Sequence, residues 1–301
     1  AVAIGPLAVH WYGLMYLLSF LVGWGLGIVR TKQAHIQWQR EEVGDFLFYV
    51  VLGVVIGVTV ALTLMIEHLM ADFAWIGLGI LAWPALAQRS LFQHVRPVAA
   101  ALHSRDLPVA RQAVSAIVGR DTGALDEAGI SRAAIESLAE SLCDGVVAPL
   151  FWLLLLGLPG VWTYKAINTA DSLIGHKEER WRAFGWSAAR LDDVANLIPA
   201  RLSALLLCMA GGRGWRMAWR DAGKHASPNA GWPEAAMAGA LGVRLSGPRI
   251  YGDRTSEEPW LNGAARDPDG NTVSRALRLY VRALFGAGLL LASLALLQAT
   301  I

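Results

Sequence analysis

The chain has 301 residues, of which 55% are hydrophobic and 17% charged, with 13 Trp and a formal net charge of +2. A near-neutral balance without a basic, aromatic patch excludes the familiar nucleic-acid-binding patterns. Two cysteines, Cys143 and Cys208, are too few for a disulfide framework or a zinc site. The mean hydropathy of +0.42, and the preference of Trp for membrane–water boundaries, fit a membrane protein that keeps a substantial polar region.

Leu7–Val29 is an apolar run long enough to span a bilayer, which takes about 20 helical residues. It has no basic residue before it and no small-residue cleavage site after it, so it does not read as a signal peptide. Arg30, Lys32 and Arg40 follow. Phe46–Ile66 is a second expected span. Gly23/Gly27 and Gly53/Gly57 each form a GxxxG, which would let two spanning helices approach closely. The glycines near residue 23 lie inside a span with no strand before them, which argues against a nucleotide-binding loop. Phe73–Leu86 is a shorter apolar segment with Pro84 near its end.

Gln88–Asp126 is polar and expected to be helical, with a loop at Gly119-Arg120-Asp121-Thr122-Gly123. In the segment that follows, Arg132, Glu136, Glu140 and Asp144 recur at steps of four, so a helix stacks them as one stripe. The stripe runs into the apolar stretch Val146–Leu156. Charges leading into a membrane-type segment are costly unless they pair or bind something. Leu150–Trp162 is short for a span and contains Gly157-Leu-Pro-Gly160. These residues are expected to break the helix and turn it back as a re-entrant piece. That topology would leave residues 88–145 and 164–200 on one face. Leu202–Ala210 is shorter still. Residues 213–282 carry 11 Lys and Arg against 7 Asp and Glu, which by the positive-inside tendency puts that face in the cytoplasm. Ala283–Ile301 is the last expected span. The fold class is therefore all-α: a polytopic helical membrane protein with short or re-entrant hydrophobic segments and a cytoplasm-facing helical polar region.

Four clusters carry chemistry. The first is the 119–122 loop, with a cation, an anion and a hydroxyl. The second is the Arg132/Glu136/Glu140/Asp144 stripe, for which an internally paired network is the alternative. The third begins at Tyr164, where a helix puts Lys165, Asn168 and Ser172 on one face with Asp171 beside it. It continues at Asp192-Asp193, with Asn196 at i,i+4 from Asp192. Adjacent carboxylates and an amide suit a hard cation such as Mg²⁺, which takes a few carboxylates together with substrate phosphates. The fourth is Lys224-His225-Ala-Ser227-Pro-Asn229-Ala-Gly-Trp-Pro233-Glu234, a helix start whose N–H groups favour an anion. No P-loop, nucleophile elbow or HExxH motif occurs. Cys143 sits in an apolar flank beside Asp144, which would raise its pKa and disfavour a nucleophile.

The clusters resemble a known family. GRDT at 119–122, ESLAESLCDGVVAPLF at 136–151, YKAINTADSLIGH at 164–176, ARLDDVANLIPARL at 189–202 and KHASPNAGWPEAAMAGALGVRLSGP at 224–248 are similar to adenosylcobinamide-phosphate synthase, over about residues 60–280. Ser141 and Ala226 depart from the pattern. The resemblance implies a multi-pass protein of the bacterial cytoplasmic membrane. Such an enzyme joins adenosylcobyric acid, a corrinoid substrate, to aminopropanol phosphate using ATP and Mg²⁺, in the company of other cobalamin-assembly enzymes. On it, Asp144, Asp171, Asp192 and Asp193 are expected to hold the metal. Arg120, Arg132, Lys165, Asn168, Arg201, Lys224, Ser227 and Asn229 are expected to contact substrate or phosphate, and Glu140 or His225 to act as the base.

The front of the chain reads differently. Gly5-Pro-Leu-Ala-Val-His10-Trp-Tyr12-Gly-Leu-Met-Tyr16, continued through Glu42–Tyr49 to Gly57, resembles the start of prolipoprotein diacylglyceryl transferase. The later motifs of that family are absent. Residues 1–57 are thus expected to be a transferase-like transmembrane segment and 58–301 the synthase-like membrane domain, joined near residue 58. Diacylglyceryl transfer, or an inactive membrane scaffold, are the alternative functions, and no transfer is expected.

Overall fold

The computed structural model describes residues 2–4, 7–9, 40–70, 73–119, 121–174, 186–251 and 254–300. Its elements are almost all helical, as expected. Two short strands, β1 (Val2–Ile4) and β2 (Leu7–Val9), pair antiparallel at the front. The apolar run expected to span from Leu7 therefore opens as strand. The rest of that run, with His10, Tyr12 and the Gly23/Gly27 pair, lies outside the described residues.

Helix α1 (Arg40–Met70) is followed by α2 (Ala74–Ala82) and a single 3₁₀ turn at Trp83–Ala85, placed where Pro84 removes a donor. Then come α3 (Gln88–His103), α4 (Leu107–Ser115) and α5 (Glu127–Leu142). Each of the last two starts on an aspartate that accepts a first-turn N–H, Asp106 from Val109 and Asp126 from Gly129. A π-helical turn, Cys143–Val147, carries α5 into α6 (Ala148–Ile174). Next are α7 (Trp186–Ala195), α8 (Leu197–Gly211), α9 (Trp215–Asp221) and α10 (Gly231–Leu241). Two antiparallel strand pairs follow: β3 (Leu245–Ser246) with β6 (Trp260–Leu261), and β4 (Arg249–Tyr251) with β5 (Arg254–Ser256). Helix α11 (Gly270–Thr300) closes the chain, capped by Asp269, whose carboxylate accepts the Thr272 N–H at 2.8 Å.

Among the described residues, three helical stretches are long and apolar enough to cross a membrane: Phe46–Leu69, Glu127–Leu173 and Gly270–Leu297. The α7–α8 pair would be a fourth if counted as one broken span. The segment read as an isolated short piece, Leu150–Trp162, is thus the middle of a longer helical run. Its break is nevertheless where the Gly-Leu-Pro-Gly signal puts it, since Gly157 has φ 66° and ψ −152°. Around Gly53 and Gly57, no described atom lies within 4 Å of where a Cβ would stand. Among the described residues, then, no helix uses that GxxxG for close approach.

The chain divides into two compact units, Ala1–Ala82 with Leu155–Asp192, and Trp83–Leu154 with Asp193–Ile301. None of the three breaks between them falls at 57/58, and α1 runs unbroken through Val58. The first unit has a small buried cluster of Phe48, Ile167 and Ala188. The second has a large core that includes Val98, Ile130, Ile135, Leu138, Leu207, Met237, Leu261 and Tyr280. Helix α10 lies in this core, and its small residues let neighbours come close. A Cβ on Gly239 would stand 2.8 Å from the Gly214 Cα and from the Met217 side chain, so only glycine fits there.

Candidate functional site

The stripe on α5 is divided by what it faces. Glu136 is buried, and its Oε1 accepts the Ser246 backbone N–H of β3 at 2.7 Å. Arg132 donates to Asp267 Oδ1 at 2.6 Å, and Arg244 holds the same carboxylate through two bonds of 2.8 and 2.6 Å. Both guanidinium groups lie over the Trp260 ring, at 5.1 and 4.3 Å from its centroid. The Arg244 bonds, opposed by partial burial and reinforced by the Arg132 charge, hold the Asp267 carboxyl below the usual range. The first half of the stripe therefore clamps the 244–267 segment. Glu140, by contrast, is exposed in the last turn of α5, and half-buried Asp144 falls in the π turn. π turns of this kind recur at functional sites, because the extra residue re-aims the side chains that follow.

Beside that turn, the Cys143 thiol contacts Asn196 Oδ1 at 3.7 Å, and Asn196 is 2% exposed. Trp152 Nε1 donates to the Ala195 carbonyl. Asn229 Nδ2 donates to the Asp193 carbonyl at 2.7 Å, and Asn229 Oδ1 accepts from Arg201 at 3.2 Å. Arg201 lies over the Trp232 ring at 4.7 Å. In this unit the π turn, the 193–201 segment and the 229–232 entry into α10 are thus tied by named bonds. These elements carry Asp144, Asp193, Arg201 and Asn229 of the expected set. In the other unit, Asn168 Nδ2 donates to Asp192 Oδ1 at 3.2 Å, and Lys165 and Asp171 lie half-buried on the same helix, α6. Arg120 lies outside the described residues.

The fourth cluster is held largely by its own groups. Ser227 Oγ accepts from the Asn229 and Ala230 N–H groups, each at 3.2 Å, ahead of α10. His225 Nδ1 accepts the Ser227 N–H at 3.0 Å, so the neutral ring carries its proton on Nε2, 3.7 Å from Glu234 Oε1. With its ring lone pair so engaged, His225 is set up as a donor. Lys224 pairs with Asp221 at 2.7 Å. Asp221 has no exposed side-chain surface, and it also takes two bonds from Arg220 and the Asn262 N–H. Burial alone would raise its pKa, but these donors outweigh burial and hold it well below the usual range.

Asp221, Arg244, Asp267 and Asn262 are thus structural residues that none of the four sequence clusters contains. The signals were Arg220 and Lys224 bracketing Asp221, and the Asp267-Pro-Asp-Gly270 turn before a helix. Among the described residues no three or more His, Cys, Asp or Glu side chains gather as a metal site. Mg²⁺ commonly uses only one or two carboxylates, with water and substrate phosphates completing its shell.

Long apolar helices that also carry half-buried acids, amides and guanidinium groups define a helical protein of the membrane-spanning class. The family model described as CobD/Cbib protein matches residues 17–280, and the chain belongs to that family. It is similar to the Cobalamin biosynthesis protein CobD of Rhodobacter capsulatus, at 55% identity over 249 residues, covering 81% of this chain and 79% of that protein. The protein of the same name in Klebsiella pneumoniae is 45% identical over 277 residues, covering 90% and 86%. That in Sinorhizobium fredii is 54% identical over 209 residues, covering 66% and 64%. No solved structure matches the chain. The family match begins before residue 58 and runs through it.

Proposed function

We propose that this chain works in cobalamin biosynthesis as adenosylcobinamide-phosphate synthase, joining adenosylcobyric acid to aminopropanol phosphate at the expense of ATP. The observation that carries the proposal is the family match across residues 17–280, with relatives that are named as cobalamin biosynthesis proteins. A carboxylate and an amine do not condense at neutral pH without activation. In the first step a carboxylate oxygen of the corrinoid attacks the γ-phosphorus of ATP and ADP leaves. In the second the amine nitrogen attacks the acyl carbon, the acyl–oxygen bond breaks and inorganic phosphate leaves. A base removes the ammonium proton.

The residues fit these needs by type. Arg201, Lys165 and Arg120 supply cations for phosphate, while Asn168 and Asn229 supply amide donors and acceptors. Asp144, Asp171, Asp192 and Asp193 would hold Mg²⁺, which offsets phosphate charge when bound. Glu140, exposed at the end of α5, suits the base better than His225, whose Nδ1 is already an acceptor. Arg132 and Lys224 act through Asp267 and Asp221, positioning the segments around the site. The reading places the protein in the bacterial cytoplasmic membrane, with its site on the ATP side.

The test is the purified protein in detergent with ATP, Mg²⁺ and both substrates, the amide product being measured by mass spectrometry. Product that depends on all three reactants is expected. Asp192→Asn should lower turnover at least about 100-fold while leaving thermal unfolding unchanged. Folded protein that makes no amide overturns the reading, and unchanged turnover in the variant removes the metal role from Asp192.

A further inference from the structure

Between α3 and α11 lies a cleft of about 600 Å³ that the proposed reaction does not use. Phe92, Leu277 and Val281 give it an apolar lining, and Arg96, Arg278 and Arg282 give it three guanidinium groups. No carboxylate lines it. Arg278 and Arg282 are four residues apart on α11 and so share a face, and Arg96 enters from α3. All three arginines are exposed, and none makes an ion pair or hydrogen bond among the described residues. In the same unit Arg132, Arg220 and Arg244 are each bound to a carboxylate. Three like charges around one apolar cleft repel one another. Such an arrangement is favourable when an anion with an apolar body fills the cleft.

The position of the cleft says which anion. Helix α11 is long and apolar enough to cross a membrane as far as Leu297. A crossing takes about 20 residues, so a crossing that ends at Leu297 begins near Arg278. Arg278 and Arg282 then stand at the level of the headgroups, where long basic side chains keep their charge in the polar layer. Val281 lies within the crossing, at the depth of the first acyl carbons, and Leu277 lies one turn outward, beside Arg278. Basic clefts between helices at this level suit phosphate headgroups. We propose that the α3–α11 cleft binds an anionic phospholipid, with its phosphate on Arg96, Arg278 and Arg282, its glycerol backbone beside Leu277 and the start of its acyl chains against Phe92 and Val281.

The experiment is native mass spectrometry of the full chain released from detergent, titrated with phosphatidylglycerol, phosphatidylcholine or inorganic phosphate. Saturable retention of phosphatidylglycerol is expected, with phosphatidylcholine bound at least tenfold more weakly. The triple variant Arg96→Gln/Arg278→Gln/Arg282→Gln should lose affinity on the order of 100-fold, since each basic group near the surface contributes about fivefold. The three side chains are exposed, so the variant should fold, which its thermal unfolding will check. Ala100→Trp, which fills the cleft without touching its charge, should block retention as well and decides the matter if the triple variant is unstable. Equal retention of the two lipids overturns the proposal, as does undiminished retention by both variants. Displacement of phosphatidylglycerol by inorganic phosphate at equal concentration assigns the cleft to free phosphate and also overturns it.

Discussion

Helices α1 and α5 invert the usual relation between polarity and burial. Helix α1 is apolar almost throughout, yet Val54, Val58, Leu64 and Leu69 are 54%, 52%, 60% and 71% exposed. Helix α5 carries Glu127, Arg132, Glu136 and Glu140, yet Ile130, Ser131, Ile135, Glu136 and Leu138 are buried. In water this would be a contradiction. It is resolved if the apolar exposed face meets lipid tails, in which leucine is as well solvated as in a protein core. Burial in α5 is then packing against other parts of the chain, and its buried charges are tolerated because Arg132 and Glu136 find partners. Hydropathy reports which segments suit a membrane. It does not report which segments carry the tertiary structure.

The largest effect that would test the contrast is Leu138→Ala. Leu138 is fully buried in the core of its unit. Truncation leaves a cavity among Ile135, Leu142 and their neighbours, and should cost about 2–5 kcal/mol of stability. Thermal unfolding in detergent would show it. A loss below about 1 kcal/mol would mean that α5 is loosely packed, and the comparison with α1 would fail.

Next in size is Asp221→Asn. The carboxylate is fully buried and held by Arg220, Lys224 and the Asn262 N–H. Neutralising it leaves two cations without their partner. The cost should be about 3 kcal/mol, at the low end for a broken buried pair because both cationic chains reach solvent. The folded pKa of Asp221 is depressed, so its contribution is complete above the unfolded carboxylate value of about 3.9. It is lost as pH falls from there toward the folded value. Unfolding measured between about pH 3 and 7 should therefore show the parent and the variant converging at the acid end. A constant gap across that range would count against the charge as the source of stability.

How much of this was legible in the sequence follows from the length scale of each interaction. The span at Phe46–Ile66 and the break at Gly157 rest on local runs and on a Gly-Leu-Pro-Gly signal, and both are present. The α5 stripe was legible as a helix, and its capping aspartate lies one residue before it. What the stripe faces was not legible, because Arg132 meets Asp267 135 residues away. The π turn adds to the difficulty, since a step-of-four count carries Asp144 forward in register with Glu140, and a wider turn moves it. In the 224–234 cluster the anion-binding helix start looked open. In the structure Ser227 Oγ takes two of the N–H groups just before α10, a local alternative that composition alone cannot rank. The fully buried Asp221 is not legible, because Arg220-Asp221 inside a basic stretch reads as ordinary surface charge.

The smallest effect is on the apolar side of the comparison. Leu64 is 60% exposed within the Phe46–Leu69 stretch, five residues before its end. If its face meets lipid, Leu64→Ala removes contacts with acyl chains that are equally available in the unfolded, membrane-bound helix, so the two states lose nearly the same free energy. The change in stability should be within about 0.5 kcal/mol, as for substitutions away from packed features. Alanine's higher helix propensity would tend to offset what remains. The measurement is thermal unfolding of the purified variant in detergent beside Leu138→Ala in the same buffer. A loss of more than about 1 kcal/mol would show that protein covers this face, either another part of the chain or a second copy. The exposure of α1 would then mark an interface and not a lipid boundary.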